Sequence, residues 1–284
     1  MLDSHVNNRK SIKYYVKNYL QDLKSELANK IVIDIPAGSG ATSEILINLG
    51  AQVEPFDLFP EYFMLKNVQC RRADIIDKIP LSDEYADMLI CQEGIEHFSD
   101  QLKVFKEFNR VLKNKGKLLI TTPSYSNLAA KLSYLMFESE TNKAMPPNEI
   151  DDIWMSDKTI TNEIYHGHIF LIGLQRLRII GKLSGFRIHE IRFIRLSRGA
   201  VFLFPFLYPF ILINSLYVYF RNMNRNKELS KNEKQKVYKE QLLININPKN
   251  LLNKHIFMVF EKEKDAQKIE FRNEEIIKGF DEIM

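Results

Sequence analysis

The stretch Ile31-Val32-Ile33-Asp34-Ile35-Pro36-Ala37-Gly38-Ser39-Gly40 constrains this chain more than any other. A short apolar, β-branched run marks a strand buried on both faces of a parallel sheet. The run ends in an acid and a loop of small residues. From Ala41 to Leu49 the apolar positions Ile45, Leu46 and Leu49 fall at helical spacing, with Gly50 as a C-terminal stop. Strand, tight glycine loop and helix make the first turn of a nucleotide-type βαβ unit. Glycines let the backbone approach a ligand that a Cβ would exclude, and a helix N-terminus offers unpaired N–H groups. A tight turn that binds nothing has the same local pattern, so the rest of the chain has to decide.

A dinucleotide loop requires G-x-G-x-x-G, and Ser43 occupies the third glycine position. The acid-led form D-x-G-x-G-x-G fits better: Asp34, Gly38 and Gly40 match, and Pro36 replaces the first glycine. Proline has no N–H, so no contact can come from the amide of residue 36. The next strand, Ala51 to Asp57, ends in an acid a little under 20 residues past the loop. From there a carboxylate can accept both hydroxyls of a ribose. An ordinary strand-end acid is the plain alternative. Pro60 opens a predicted short helix (61–65), and Val68 to Arg72 reads as a third strand, closed by Ala73-Asp74-Ile75. Asp87 starts a fourth strand, Met88 to Cys91, which runs into Gln92-Glu93-Gly94-Ile95-Glu96-His97-Phe98. Ser99 is placed to cap a helix with the stripe Leu102, Phe105, Phe108, Val111, Leu112, and Lys113-Asn114-Lys115-Gly116 reads as its end. Leu118 to Pro123 is the fifth strand.

In this order and at these spacings, residues 30 to 125 resemble the class I S-adenosylmethionine (SAM) methyltransferases. The resemblance rests on the acid-led glycine loop, the Asp74 to Cys91 passage, the Glu96-His97 pair after strand four and the Leu118-Leu119-Ile120-Thr121-Thr122-Pro123 strand. It implies an α/β fold with a doubly wound, mostly parallel seven-stranded sheet whose last strand is antiparallel. It also implies SAM as cofactor, held by Asp34, Ile35, Pro36, Ala37, Gly38, Gly40, Asp57, Leu58, Asp74, Ile75 and Gln92. Asp57 would take the ribose, Asp74 the adenine amino group, and Ile75 would flank the ring. Gln92 and Glu93 would stand where cofactor and acceptor meet. The amphipathic segment Ser11 to Leu27 would cover the cofactor site, although simple packing on the sheet explains its periodicity equally well.

Composition sets wider bounds. A chain of 284 residues has room for one sizeable domain plus an insertion, or at most two domains. The formal net charge of +4 is too small to argue for nucleic acid. The two cysteines, Cys70 and Cys91, fall in expected strands without CxxC or histidine company, which favours reduced thiols and a cytoplasmic setting. The polar N-terminus reads as no signal peptide, and the scattered histidines as no metal site.

Beyond strand five a helix is expected from Asn127 to Phe137, then an irregular acidic stretch (138–163) holding Pro146-Pro147 and the only tryptophan, Trp154. Segment 138–168 is read as a lid over the acceptor. His166 and His168 are the candidates for a general base, because histidine titrates near neutrality, although a structural or surface role accounts better for either one; His97 ranks below them, and Glu93, at the end of strand four, is the further catalytic candidate. A helix from Leu174 to Leu183 and a sixth strand from Phe186 to Arg195 follow. The methyltransferase domain is thus expected over 1–195 plus 255–263, with His255 to Glu261 as the last strand and 264–284 as a charged tail.

Between these strands lies an insertion, 196–254, that opens with an uncharged run from Ala200 to Phe220. Its length suits a membrane span. Yet two strands of one sheet must return to the same side of a membrane, and splitting at Pro205 and Pro209 leaves pieces too short to cross twice. An in-plane element through 200–220 is therefore expected, with Arg192, Arg195 and Arg198 before it and Arg221, Arg225, Lys227 and Lys231 after it to meet anionic headgroups. An apolar arm buried on a second subunit or on the core is the alternative. The expected function is O-methylation of a small, lipidic or lipid-linked acceptor of quinone or glycan type, in the cytoplasm or peripheral on the inner membrane face. Two other readings stay open: a SAM-binding docking protein without catalysis, and a nicotinamide-dependent oxidoreductase, against which Ser43 and Glu96-His97 count.

Overall fold

The computed structural model describes residues 4–139, 148–167, 169–225 and 230–266. A single 3-10 turn (Ser4–Asn7) leads into helices α1 (Ile12–Asp22) and α2 (Lys24–Leu27). Strands and helices then alternate: β1 (Ile31–Asp34), α3 (Ala41–Asn48), β2 (Gln52–Asp57), β3 (Arg71–Arg72), β4 (Ala86–Gln92), α4 (Gln101–Val111), β5 (Leu112–Pro123) and α5 (Leu128–Phe137). A small antiparallel pair, β6 (Ile153–Met155) and β7 (Tyr165–His166), precedes α6 (Leu174–Leu183) and β8 (Phe186–Ile191). Three helices follow, α7 (Arg198–Met223), α8 (Lys231–Ile246) and α9 (Pro248–Leu252), before the last strand β9 (His255–Lys262).

The sheet has seven strands in the order β3-β2-β1-β4-β5-β9-β8, and β9 alone runs antiparallel to its neighbours. Successive residues of each central strand alternate between two cores, as the two-residue period of a strand requires. Ile33, Leu89, Leu118, Ile120, Met258 and Phe260 face a cluster with Phe105, Phe108 and Leu177 of α4 and α6. Val32, Met88, Ile90, Leu119, Phe257 and Val259 face a second cluster with Val16, Leu20, Ile45 and Leu46 of α1 and α3. Covering on both faces is what the unbroken apolar strands anticipated. The order reverses between β1 and β4, and this switch point opens a crevice at the strands' C-terminal ends.

Several boundaries differ from the sequence reading for local reasons. Helix α4 is capped by Asp100, whose carboxylate accepts from the Lys103 amide at 2.9 Å, rather than by Ser99. Lys113 to Gly116 lies within β5 instead of ending α4, with Lys115 in the left-handed region at φ 66°. The third strand shrinks to Arg71–Arg72, the sixth stops at Ile191, and Pro60 opens only a 3-10 turn (Pro60–Tyr62). The stretch expected to be irregular, 138–163, contains β6, which pairs with β7 just beyond it.

The insertion shows the largest departure. Pro205 and Pro209 do not divide the apolar run: α7 is one helix of 26 residues, started by Ser197, whose Oγ accepts from the Ala200 amide. Both prolines lie on the helix's exposed side, so the carbonyls that lose an intrahelical partner face outward, where no packed element is disturbed. The inward side packs Leu203, Phe204 and Leu207 against Leu128 of α5 and Leu251 of α9. Helix α8 returns antiparallel along α7: Lys234 Nζ donates to the carbonyls of Met223 and Arg225, and Asn245 Nδ2 to Ser215 Oγ at 2.7 Å.

Candidate functional site

At the switch point lies a cavity of about 360 Å³. Its walls come from the loop after β1 (Pro36, Ala37, Gly38, Ser39), the first turn of α3 (Ala41, Thr42), the ends of β2 and β4 (Asp57, Gln92, Glu93), Phe59, Tyr62, His97, Lys13 of α1, and Trp154 and Met155 of β6. The loop is tied to the second strand. Asp57 Oδ2 accepts from the Gly38 amide and Oδ1 from the Phe59 amide, both at 2.8 Å. Gly38 sits at φ 51° and Gly40, the N-cap of α3, at φ 90°, a conformation that L side chains rarely adopt. A Cβ at Gly40 would also lie 2.9 Å from the Phe63 ring.

The acid of the motif has a different position from the loop it precedes. Asp34 is buried under the start of α3 and accepts from Ser43 Oγ at 2.6 Å. Burial, opposed by that hydrogen bond and reinforced by the charge of Asp57, pushes its carboxyl up to about 7. Ser43, which breaks the dinucleotide fingerprint, is thus the partner of the motif's acid.

At the end of β4, Gln92 is fixed by Thr42, whose hydroxyl donates to Gln92 Oε1 at 2.9 Å. Glu93 takes the left-handed conformation (φ 50°), and its amide donates to the Thr121 carbonyl at 2.9 Å. Its Oε1 is sealed from solvent and has no hydrogen-bond partner among the described residues; Oε2 lies 3.7 Å from His255 Nε2 at the start of β9. Burial first, and then the charge of Glu96, raise the Glu93 carboxyl well above the usual range. Glu96, also raised by burial, accepts from Thr122 Oγ1 at 2.9 Å. His255 is held down to about 4 by burial, with Arg195 and Lys254 adding to the effect, so its ring is neutral at pH 7.

The β6–β7 pair closes one side with aromatic contacts. Trp154 lies 5.6 Å from the Phe59 ring and 5.2 Å from His97, and Tyr165 meets Phe59 edge-on at 5.2 Å. Tyr62 donates to Asp157 Oδ2 at 3.0 Å. Among the residues singled out from the sequence, Pro36, Ala37, Gly38, Asp57, Gln92 and Glu93 meet on this one cavity. Gly40 shapes the turn behind it. Ile35 and Ile75 are buried in the core, Asp74 is exposed and accepts from the Ile76 amide, and Leu58 is half-buried, its carbonyl accepting from Arg72. His166 stands 3.3 Å from the Glu149 carbonyl and is not on the wall, whereas His97 is; His168 lies outside the described residues. Lys13, Thr42, Phe59, Met155 and His255 are additions that sequence reasoning missed. Thr42 had a signal, a hydroxyl in the first turn after the glycine loop; His255 had none, because its place depends on β9 pairing antiparallel with β5.

Comparison with known proteins agrees with this geometry. Residues 33–120 match the family described as a methyltransferase domain. This segment, under a third of the chain, is similar to methyltransferase domains. A ubiquinone biosynthesis O-methyltransferase of Xanthomonas oryzae pv. oryzae is 31% identical over 106 residues, 34% of this chain and 44% of that protein. One of Nitrosomonas europaea is 26% identical over 114 residues, 37% of this chain and 48% of that protein. The chain therefore spans under half the length of these curated relatives. In fold, it superimposes on a SAM-dependent methyltransferase of Archaeoglobus fulgidus with a TM-score of 0.51, at 13% identity, covering 92% of this chain and all of that one.

SAM is the cofactor of the methyltransferase domain family, and the cavity has the donor set for it. Its volume lies in the range of small-molecule sites. Asp57 would offer acceptors to ribose hydroxyls, the glycine loop, open beside Gly38, would back an adenosyl group, and Phe59, Trp154 and Met155 supply apolar wall. Among the described residues no group of three or more His, Cys, Asp or Glu is disposed to hold a metal ion.

Proposed function

We propose that this protein transfers a methyl group from SAM to a hydroxyl of a small, lipidic or lipid-linked acceptor of quinone or glycan type. The observation that carries the reading is the cavity at the β1–β4 switch point, lined mostly by the segment that matches the methyltransferase domain, with Asp57, Gln92 and Glu93 on its wall. The quinone type is supported by the names of the curated relatives, ubiquinone biosynthesis O-methyltransferases.

When bound, SAM supplies an electrophilic methyl on a sulfonium centre. The chain's own task is to position and to handle one proton. In this reading Asp57 holds the ribose, Gln92, held by Thr42, orients the neighbouring group, and Trp154 and Met155 exclude water from the reacting end. Glu93 is the group that takes the hydroxyl proton. Its carboxyl Oε1 is unpartnered and burial raises its affinity for a proton, which makes its ionised form a stronger base. His166 and His168 are the second choice, on the sequence grounds given above; the ring of His166 neighbours the Glu149 carbonyl. Segment 138–168, of which 140–147 and 168 lie outside the described residues, is read as the acceptor lid, and the working place as the cytoplasm, peripheral to the membrane where apolar acceptors partition.

Calorimetry with S-adenosylhomocysteine, followed by product release from SAM with catecholic or phenolic quinone precursors and with a lipid extract, tests the proposal. Saturable binding and acceptor-dependent product formation are the expected results. Binding without turnover on any acceptor would leave a docking protein, and nicotinamide binding in place of the adenosyl ligand would overturn the methyltransferase reading.

A further inference from the structure

Helix α7 is the one helix among the described residues long and apolar enough to cross a membrane. At 1.5 Å per residue its 26 residues extend about 39 Å. Its surroundings argue against a span. Along one side it is packed by α5, α8 and α9, and α8 carries Lys231, Lys234, Lys236, Lys239 and Glu240, none of which belongs in hydrocarbon. Both ends of the insertion return to one sheet edge, where Leu196 bridges Asn253.

The opposite side of α7 has no partner. Phe202, Phe206, Phe210, Ile213, Tyr217 and Phe220 form a single stripe at three-to-four spacing, each 61–71% exposed. Scattered exposed apolar residues are ordinary, whereas six large ones in one row mark an interaction surface. Helix α5, packed against α7, adds Leu135 and Met136, also largely exposed. Charge names the partner. No acid occurs between Ile191 and Lys227, and Arg198, Arg221 and Arg225 at the two ends of the stripe form no ion pair among the described residues. An apolar row bracketed by free guanidinium groups is complementary to an interface of acyl chains under anionic headgroups. A second copy of the chain would set these arginines against their own kind.

We infer that the outer face of α7, with the end of α5, docks flat on an anionic bilayer and holds the cofactor cavity at the membrane surface. Docking and cavity are linked by topology. The insertion leaves the sheet after β8 and returns at His255, 3.7 Å from Glu93 on the cavity wall, so both lie at the end of the sheet where the parallel strands finish. The docked molecule therefore turns the end of its parallel strands, where an acceptor enters, toward the lipid. This inference does not depend on which acceptor is methylated.

Co-sedimentation of the full-length protein with phosphatidylglycerol-containing vesicles and with pure phosphatidylcholine vesicles tests it. Binding to the anionic vesicles is expected, weakening at high salt. The exposed substitutions Phe206→Glu with Phe210→Glu are expected to reduce it at least about tenfold, as is Arg221→Glu with Arg225→Glu. S-adenosylhomocysteine affinity should be unchanged in both variants, which separates loss of docking from loss of fold or of the methyltransferase site. No binding to either vesicle, with light scattering showing a dimer that Phe206→Glu and Phe210→Glu convert to monomer, would make the stripe a self-association face and overturn the inference. Resistance of membrane-bound protein to carbonate extraction would overturn it in favour of a span.

Discussion

In the proposed function Asp57 serves both the loop and a ligand. Its two oxygens already accept the Gly38 and Phe59 amides, and a carboxylate has lone pairs left for two hydroxyls. Asp57→Ala is therefore expected to weaken S-adenosylhomocysteine binding at least about 100-fold in calorimetry, because two charge-assisted bonds and the pinning of the loop are lost together. The melting temperature should fall only by a few degrees, since the cores on both sheet faces are untouched. Glu93 is tested differently. Glu93→Gln keeps size and polarity but cannot accept a proton, so kcat should drop about 10²- to 10⁴-fold while the KM for SAM stays unchanged. Unchanged kcat would return the role of base to a histidine.

At the scale of elements, the glycine loop and the turn after β4 are packed against each other. An ideal Cβ on Gly94 would fall 2.3 Å from Pro36 Cδ and 3.1 Å from Cys91 Sγ. Neither neighbour is the free end of a flexible chain, so Gly94→Ala must displace the loop that carries Gly38. A loss of about 1–3 kcal/mol in stability is expected from the overpacking, readable by denaturant unfolding. S-adenosylhomocysteine affinity should fall with it, although residue 94 is not on the cavity wall. This is also why proline is accommodated where the motif usually has glycine: the space beside its ring is provided by a second glycine 58 positions later.

For the molecule as a whole, buried carboxyls set the pH dependence of stability. The folded chain holds a proton on Asp34 up to about 7, whereas the unfolded chain releases it near 3.8. Between these values the native state binds the extra proton, so stability falls as pH rises through the window. Glu93 and Glu96, raised in the same direction, add to the fall. Thermal melts are expected to show lower stability at pH 8 than at pH 5, and Asp34→Asn should flatten the dependence by roughly a few kcal/mol. A pH dependence that Asp34→Asn leaves unchanged would show that Asp34 is ionised in the native state.

Much of this protein is legible in its sequence because the governing signals are local. The apolar runs of β1, β4, β5 and β9, the stripe of α4 and the glycine turn each specify an element, and their order restricts how a parallel sheet can be wound. Asp57, Gln92 and Glu93 were readable because each stands at a strand's C-terminal end, where such a sheet opens. What no local pattern holds is which surfaces meet. Asp74 and Ile75 fit the spacing but lie off the cavity, His255 reaches Glu93 only through the antiparallel return of β9, and Trp154 reaches Phe59 only through the β6–β7 pair. Pro205 and Pro209 looked like breaks, yet α7 is continuous because both fall on the side that packs against nothing. Periodicity along a chain fixes which residues share a face; packing between distant segments decides what that face touches, and for α7 one side met the protein and the other was left for a partner.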